Sequence, residues 1–280
     1  MSPEVHLGLH WWSLSVPVTL ALSGLVFVYL RGIYRLRRAL PNVLSAWRLA
    51  AFGSGVFSLW VAVGSPLAVL DHQFLTAHMV QHLLLMTVAA PLVLLGAPVI
   101  TLLHGIPQRF VPGILGTYLR WPAVHWFGRI LNQPVFCWLA STTTVLGWHV
   151  PGLFEIGMHS ERWHAAEHAT FFVAGLLFWW PVVRPWPSLA DRPQWFVPLY
   201  LFLATLPCDA LSAFLTFCNR VVYPHYLSVH LLFGFLPLAD QQFAGALMWV
   251  WVTFVYLVPA AAVTMQVLSP QRRTLNAEVV

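Results

Sequence analysis

The chain has 280 residues, of which 59% are apolar and only 8% charged, with 14 basic residues (all arginine), 9 carboxylates and 13 histidines. A soluble domain carries about a quarter charged residues, so a soluble globule is excluded, and so apolar a composition is the opposite of a disordered one. The formal charge of +5 and the mean hydropathy of +0.73 describe an integral membrane protein whose arginines need a topological explanation.

A bilayer core of about 30 Å takes roughly 20 apolar residues per helix. Seven stretches meet or approach that length: 12–30, 49–70, 74–95, 134–150, 165–183, 195–217 and 243–263. The fourth is short and interrupted by Ser141, Thr142, Thr143 and Thr144. Residues 105–130, with Arg109, Arg120 and Arg129 among aromatics, read as an interfacial connection. The stretch 226–239 is apolar but too short to cross, and reads as interfacial or re-entrant. Pro91, Pro98 and Pro207 should kink or end helices. The three cysteines, Cys137, Cys208 and Cys218, form no CxxC pair, so neither a disulfide framework nor a zinc knuckle is expected.

The amino end begins with Glu4 instead of a basic patch, and Arg31, Arg35, Arg37 and Arg38 follow the first span. That polarity holds the amino end outside and argues against a cleaved signal. Threading seven spans from there places twelve arginines inside and only Arg162 and Arg220 outside. The basic balance is therefore topology, and a nucleic-acid partner is not expected. The fold class is an all-α polytopic membrane protein, a single domain over 1–280 built as a seven-transmembrane-helix bundle.

The histidines distribute the other way. His6, His10, His72, His78, His82, His149, His159, His164, His168, His225 and His230 fall outside or at outer span ends, and only His104 and His125 fall inside. A neutral imidazole is nearly blind to the positive-inside rule, so this asymmetry needs its own cause. Two pairs are sharp: HMVQH places His78 and His82 four residues apart on span three, and HAAEH does the same for His164 and His168 on span five. Such partners lie about 40° apart around a helix and ~6 Å along it, where they can share one metal ion. Ionisable residues within a span are functional by default.

Asp71 precedes span three, Glu167 sits inside the second pair and Asp240 opens the last span. Each could ligate a cation or orient a histidine that does; for Asp71 and Asp240 helix N-capping is an equally good reading. Met79, Met86, Met158 and Met248 could approach the outer half, though methionine in a span usually packs. Asp209, deep in span six, is expected to be the most buried carboxylate.

Several separated stretches, HMVQHLLLMTVAAPLVLLGAP at 78–98, WHVPGLFE at 148–155, HAAEH at 164–168, FWWPVV at 178–183, YPHY at 223–226 and DQQFAGALMWV at 240–250, resemble the CtaG-type membrane assembly factors of cytochrome c oxidase. The resemblance runs from span two onward and matches the first forty residues only loosely. It implies a multi-pass protein of the bacterial inner membrane, with a periplasmic N-terminus and a cytoplasmic C-terminus. It also implies a role in oxidase assembly through copper delivery, with an oxidase subunit and a periplasmic copper donor as partners. The implied metal residues are His78, His82, His164, His168 and Asp240, with Asp71, His72 and His149 beside them. Such a role is binding and transfer, not catalysis. Two other readings of the same residues remain: a seven-span zinc-dependent intramembrane hydrolase and a b-type cytochrome with haem between facing histidines.

Overall fold

The computed structural model describes residues 15–39, 45–107, 128, 130, 133–185, 193, 195–228 and 236–269, and all regular structure among them is helical. Helices α1 (Val16–Ala39) and α2 (Ala46–Gly64) lead to a short turn, α3 (Leu67–Leu70). The next span is composite: α4 (Leu75–Leu83), a π-helical turn (Leu84–Ala89) and α5 (Ala90–Leu95). There follow α6 (Pro98–Gly105), α7 (Pro134–Trp148), α8 (Pro151–His159), α9 (Glu161–Val183), α10 (Phe196–Phe217), α11 (His225–Ser228) and α12 (Pro237–Leu268).

Among the described residues six stretches, 16–38, 46–70, 75–95, 161–183, 196–217 and 237–268, are long and apolar enough to cross a bilayer. The expected fourth span forms the 15-residue α7, about 22 Å long at 1.5 Å per residue, which falls short of the hydrocarbon thickness. Its end has a local cause. Val150 is extended (φ −67°, ψ 123°) because Pro151 follows it, and a residue ahead of proline is pushed out of the helical region. The chain then restarts as α8.

Two other boundaries move. α1 continues to Ala39, so Arg31, Arg35, Arg37 and Arg38 ride on its last turns. The Arg35 guanidinium donates to the carbonyls of His104 (3.4 Å) and Ile106 (3.2 Å) at the end of α6, where unpaired helix carbonyls favour a cation. α12 begins at Pro237, which puts Asp240 inside its first turn. Most of 105–130, residues 229–235 and both termini lie outside the described residues, and with them His6, His10, His125 and His230.

The composite span is the axis of the bundle. Of its most apolar 18 residues 61% are buried, against 17% for α1, which rides on the rim. α4 packs on α12, α5 on α2 and α9, and α10 pairs with α12. Phe27, Phe57, Phe202, Phe214 and Phe254 face outward and are more than half exposed, as suits contact with lipid tails. Lipid gives no hydrophobic drive between helices, so close approach depends on small residues. α1 and α6 show this. A Cβ on Gly32 would overlap the Thr101 carbonyl, and one on Gly105 would overlap that of Val28. Gly32→Val is therefore expected to unseat α6 and cost about 1–3 kcal/mol, read as a lowered thermal midpoint in detergent; an unchanged midpoint would show the contact to be loose.

The π turn is fastened at both sides. Trp179 Nε1 donates to the Met86 carbonyl (3.0 Å), and Trp251 Nε1 donates to Thr87 Oγ1 (2.8 Å). Single π turns often accompany functional sites, and this one begins two residues after His82.

Candidate metal centre

The site is built at one end of the bundle, where α4 and α9 both begin. Asp240 holds the first turn of α4: its carboxylate accepts from the Leu75 amide (2.6 Å), the Thr76 amide (3.4 Å) and the Thr76 hydroxyl (2.6 Å). A carboxylate on the orphan amides of a helix start also complements the helix dipole. So anchored, α4 presents His78 and His82 with ring centroids 4.3 Å apart, and α9 presents His164 and His168 at the same spacing. The pairs face each other. His78 stacks on His164 at 5.7 Å and 12°, and His82 meets His168 at 5.7 Å.

Two carboxylates enter this frame. Glu167, 1% exposed, puts Oε1 3.3 Å from His78 Nε2 and 3.4 Å from His82 Nε2. Asp71, fully buried, puts Oδ2 3.4 Å from His164 Nε2. The donor atoms thus group as two triads, His78/His82/Glu167 and Asp71/His78/His164, each within 4.8 Å and sharing His78.

None of these approaches has hydrogen-bond geometry. Ten buried atoms, both carboxylate oxygens of Asp71 and Glu167, both nitrogens of His78 and His82, and Nε2 of His164 and His168, have no hydrogen-bond partner. Each such atom costs about 1–3 kcal/mol if left unmet, so together they rival the roughly 5–15 kcal/mol that holds a domain folded. The separations indicate what completes them. Two nitrogen or oxygen donors about 2.0–2.1 Å from one tetrahedral ion stand roughly 3.3 Å apart, and the measured edges are 3.3 and 3.4 Å. Imidazole and carboxylate are the donors that copper, zinc and iron accept, so the residues fit a transition metal. Burial also pushes the Asp71 carboxyl up to about 7, a cost of the charged form that a bound cation would reverse.

A family model described as the cytochrome c oxidase caa3 assembly factor matches residues 27–269. The chain belongs to that family. Among curated proteins the chain is similar to uncharacterised proteins of Mycobacterium bovis and Mycobacterium tuberculosis. Each is 24% identical over 283 residues, 99% of this chain and 42% of the relative. One of Mycobacterium leprae is 25% identical over 228 residues, 79% of this chain and 34% of the relative. The chain therefore spans about two fifths of the length of the first two relatives. No solved structure matches it.

The remaining expected residues spread around the cluster. His72 lies at the mouth, its side chain 45% exposed and its Nε2 3.9 Å from Asp71 Oδ1. His149, 7% exposed, stands on the inner side with Nε2 3.3 Å from Met79 Sδ and its ring 6.4 Å from that of His82. Asp240 belongs to neither triad; its oxygens are engaged at the start of α4. Asp209 is not the most buried carboxylate, since it is only partly covered while Asp71, Glu167 and Asp240 are buried.

A third group joins Glu155, His159 and His225 at the surface. Glu155 Oε2 lies 3.6 Å from His159 Nδ1, and its Oε1 accepts from the His225 amide (2.9 Å). The Glu155–His159 spacing of four residues on α8 is a signal the sequence carried; the arrival of His225 from α11 is not. Together the imidazoles make a row: His159 to His225 5.9 Å, His225 to His72 6.2 Å, His72 to His164 5.0 Å between centroids.

Proposed function

We propose that this assembly factor takes copper as cargo between α4 and α9 and passes it to a cytochrome c oxidase subunit. One observation carries the reading: His78, His82 and Glu167 hold buried, unpartnered donor atoms, and the two edges from Glu167 Oε1, 3.3 and 3.4 Å, have the length expected around a single tetrahedral ion. A divalent or monovalent copper would sit against His78, His82 and Glu167, with Asp71 and His164 as the adjoining set. Copper supplies the charge that reconciles two buried carboxylates with four imidazoles. The chain's own residues orient and release it. The row from His159 through His225 and His72 offers a graded way between the cluster and solvent, where a periplasmic donor or the recipient subunit would dock.

The topology proposed with it is seven crossings, with α7 as a short fourth span, in the bacterial inner membrane. The chain leaves the cluster end along α4 and α5 and is back there at His149. α7 is the described helix that covers the return. α9 and α12 start, and α10 ends, at that same end. Together with the arginine distribution, this arrangement supports a topology with the amino end and the cluster on the periplasmic side and the carboxyl end in the cytoplasm.

Membranes carrying the wild type should hold on the order of one extra copper per chain, and His78→Ala with Glu167→Gln, which takes two donors from the triad, should remove it and lower oxidase activity in parallel. Unchanged copper content and oxidase activity in that double variant would sink the reading. Zinc in place of copper in the purified protein would favour the metal-dependent hydrolase instead.

A further inference from the structure

Beneath the cluster the bundle encloses a cavity of about 30 Å³, room for one ion or water. Met79, Met86, Met248 and Cys208 line it together with His82 and His149, and all six are between 1% and 9% exposed. It reaches along the composite span from Met79 to Thr87, so His82 has a place in both the cluster and the cavity wall.

Methionine in a bundle interior is ordinary packing. Met79 differs because its Sδ stands 3.3 Å from His149 Nε2 while His149 Nδ1 lies 2.7 Å from the Val145 carbonyl. A carbonyl only accepts, so Nδ1 carries the proton, and in the neutral ring Nε2 presents a lone pair. A lone pair facing a thioether is not a hydrogen bond. It is two donors facing one another beside a void. Nitrogen and sulfur bound at about 2.0 and 2.3 Å to one tetrahedral ion would stand roughly 3.5 Å apart. The nitrogens of His82 add further donors without a partner.

We propose that this cavity is a second metal site, distinct from the His/carboxylate cluster, that takes a soft monovalent cation, Cu(I). Thioether, thiol and imidazole select Cu(I), whereas the carboxylates that suit zinc are absent from the wall. The choice of copper rests on the function proposed above, but the donor set does not, and redox-inert Ag(I) probes it directly.

The test titrates Ag(I) and, separately, Zn(II) into the detergent-purified full chain, with X-ray absorption at the silver edge. The expected result is Ag(I) binding with sulfur scattering. Met79→Leu, alone and with Met248→Leu, should weaken Ag(I) at least ten-fold and leave Zn(II) binding unchanged, which also reports that the bundle is intact. Glu167→Gln should do the reverse. Ag(I) affinity in Met79→Leu within two-fold of wild type, or scattering from nitrogen and oxygen alone, would overturn the proposal. Loss of Zn(II) and Ag(I) together in Met79→Leu would overturn it as well, by showing one site where two are claimed. If Zn(II) and Cu(II) fail to bind the wild type while Ag(I) binds as described, the cluster reading falls and the soft site stands.

Discussion

His78→Ala should abolish most of the metal affinity of the cluster, because its imidazole is the member common to both donor triads. Loss of a group that merely orients a ligand costs about 10–100-fold in affinity, so loss of a shared ligand should reach or exceed about 100-fold. Competition against a chromogenic chelator, with Cu(II) and Zn(II) in turn, measures it on the purified protein. His72→Ala is the companion. That side chain is 45% exposed and 3.9 Å from Asp71, and its removal should cost less than about ten-fold. Equal losses in the two variants would move the binding site outward to the mouth.

Glu167→Leu should raise the thermal stability of the metal-free protein and remove the extra stability that metal confers. The carboxylate is 1% exposed with neither oxygen hydrogen-bonded, and a buried polar group left without a partner costs about 1–3 kcal/mol that an apolar side chain of similar size would not incur. The same side chain lies against the tightest part of the site: a Cβ on Gly157 would come within 2.9 Å of its Oε2. Thermal midpoints of wild type and variant, with and without Zn(II), decide the matter. A metal-free variant less stable than wild type would mean that Glu167 is held by favourable contacts within the apo bundle, and would remove the argument from unmet polar atoms.

The two histidine pairs were legible in the sequence because a helix converts a spacing of four into one face, and depth followed from where each pair sits in its span. Their facing arrangement follows from both helices starting at the same end. Glu167 was legible as a ligand or an orienting group; that its side chain crosses to α4 and contacts both His78 and His82 depends on the rotation of α9, which periodicity does not supply. Asp240 shows the opposite limit. Its acidic character near a helix start suggested capping or ligation equally, and the helix it caps is not its own. The contact between Met79 and His149 joins residues 70 apart, and no local pattern anticipates it. Most span boundaries were legible to within a few residues, and missed by more where α1 runs on through its arginines to Ala39 and where α12 extends through the polar run DQQ. That run is tolerated because Asp240 and Gln241 are buried against α4 and the end of α10.

The Asp240 cap also sets an order of events in biosynthesis. The amides of Leu75 and Thr76 are made long before their acceptor, which lies 165 residues further along the chain. At translation speeds of about 5–20 residues per second the interval is roughly 10–30 s. During it α4 lacks its anchor, and the four imidazoles and two carboxylates have no fixed partner geometry. The donor geometry is therefore complete only when α12 has been inserted, so a partly made chain lacks the arrangement seen here.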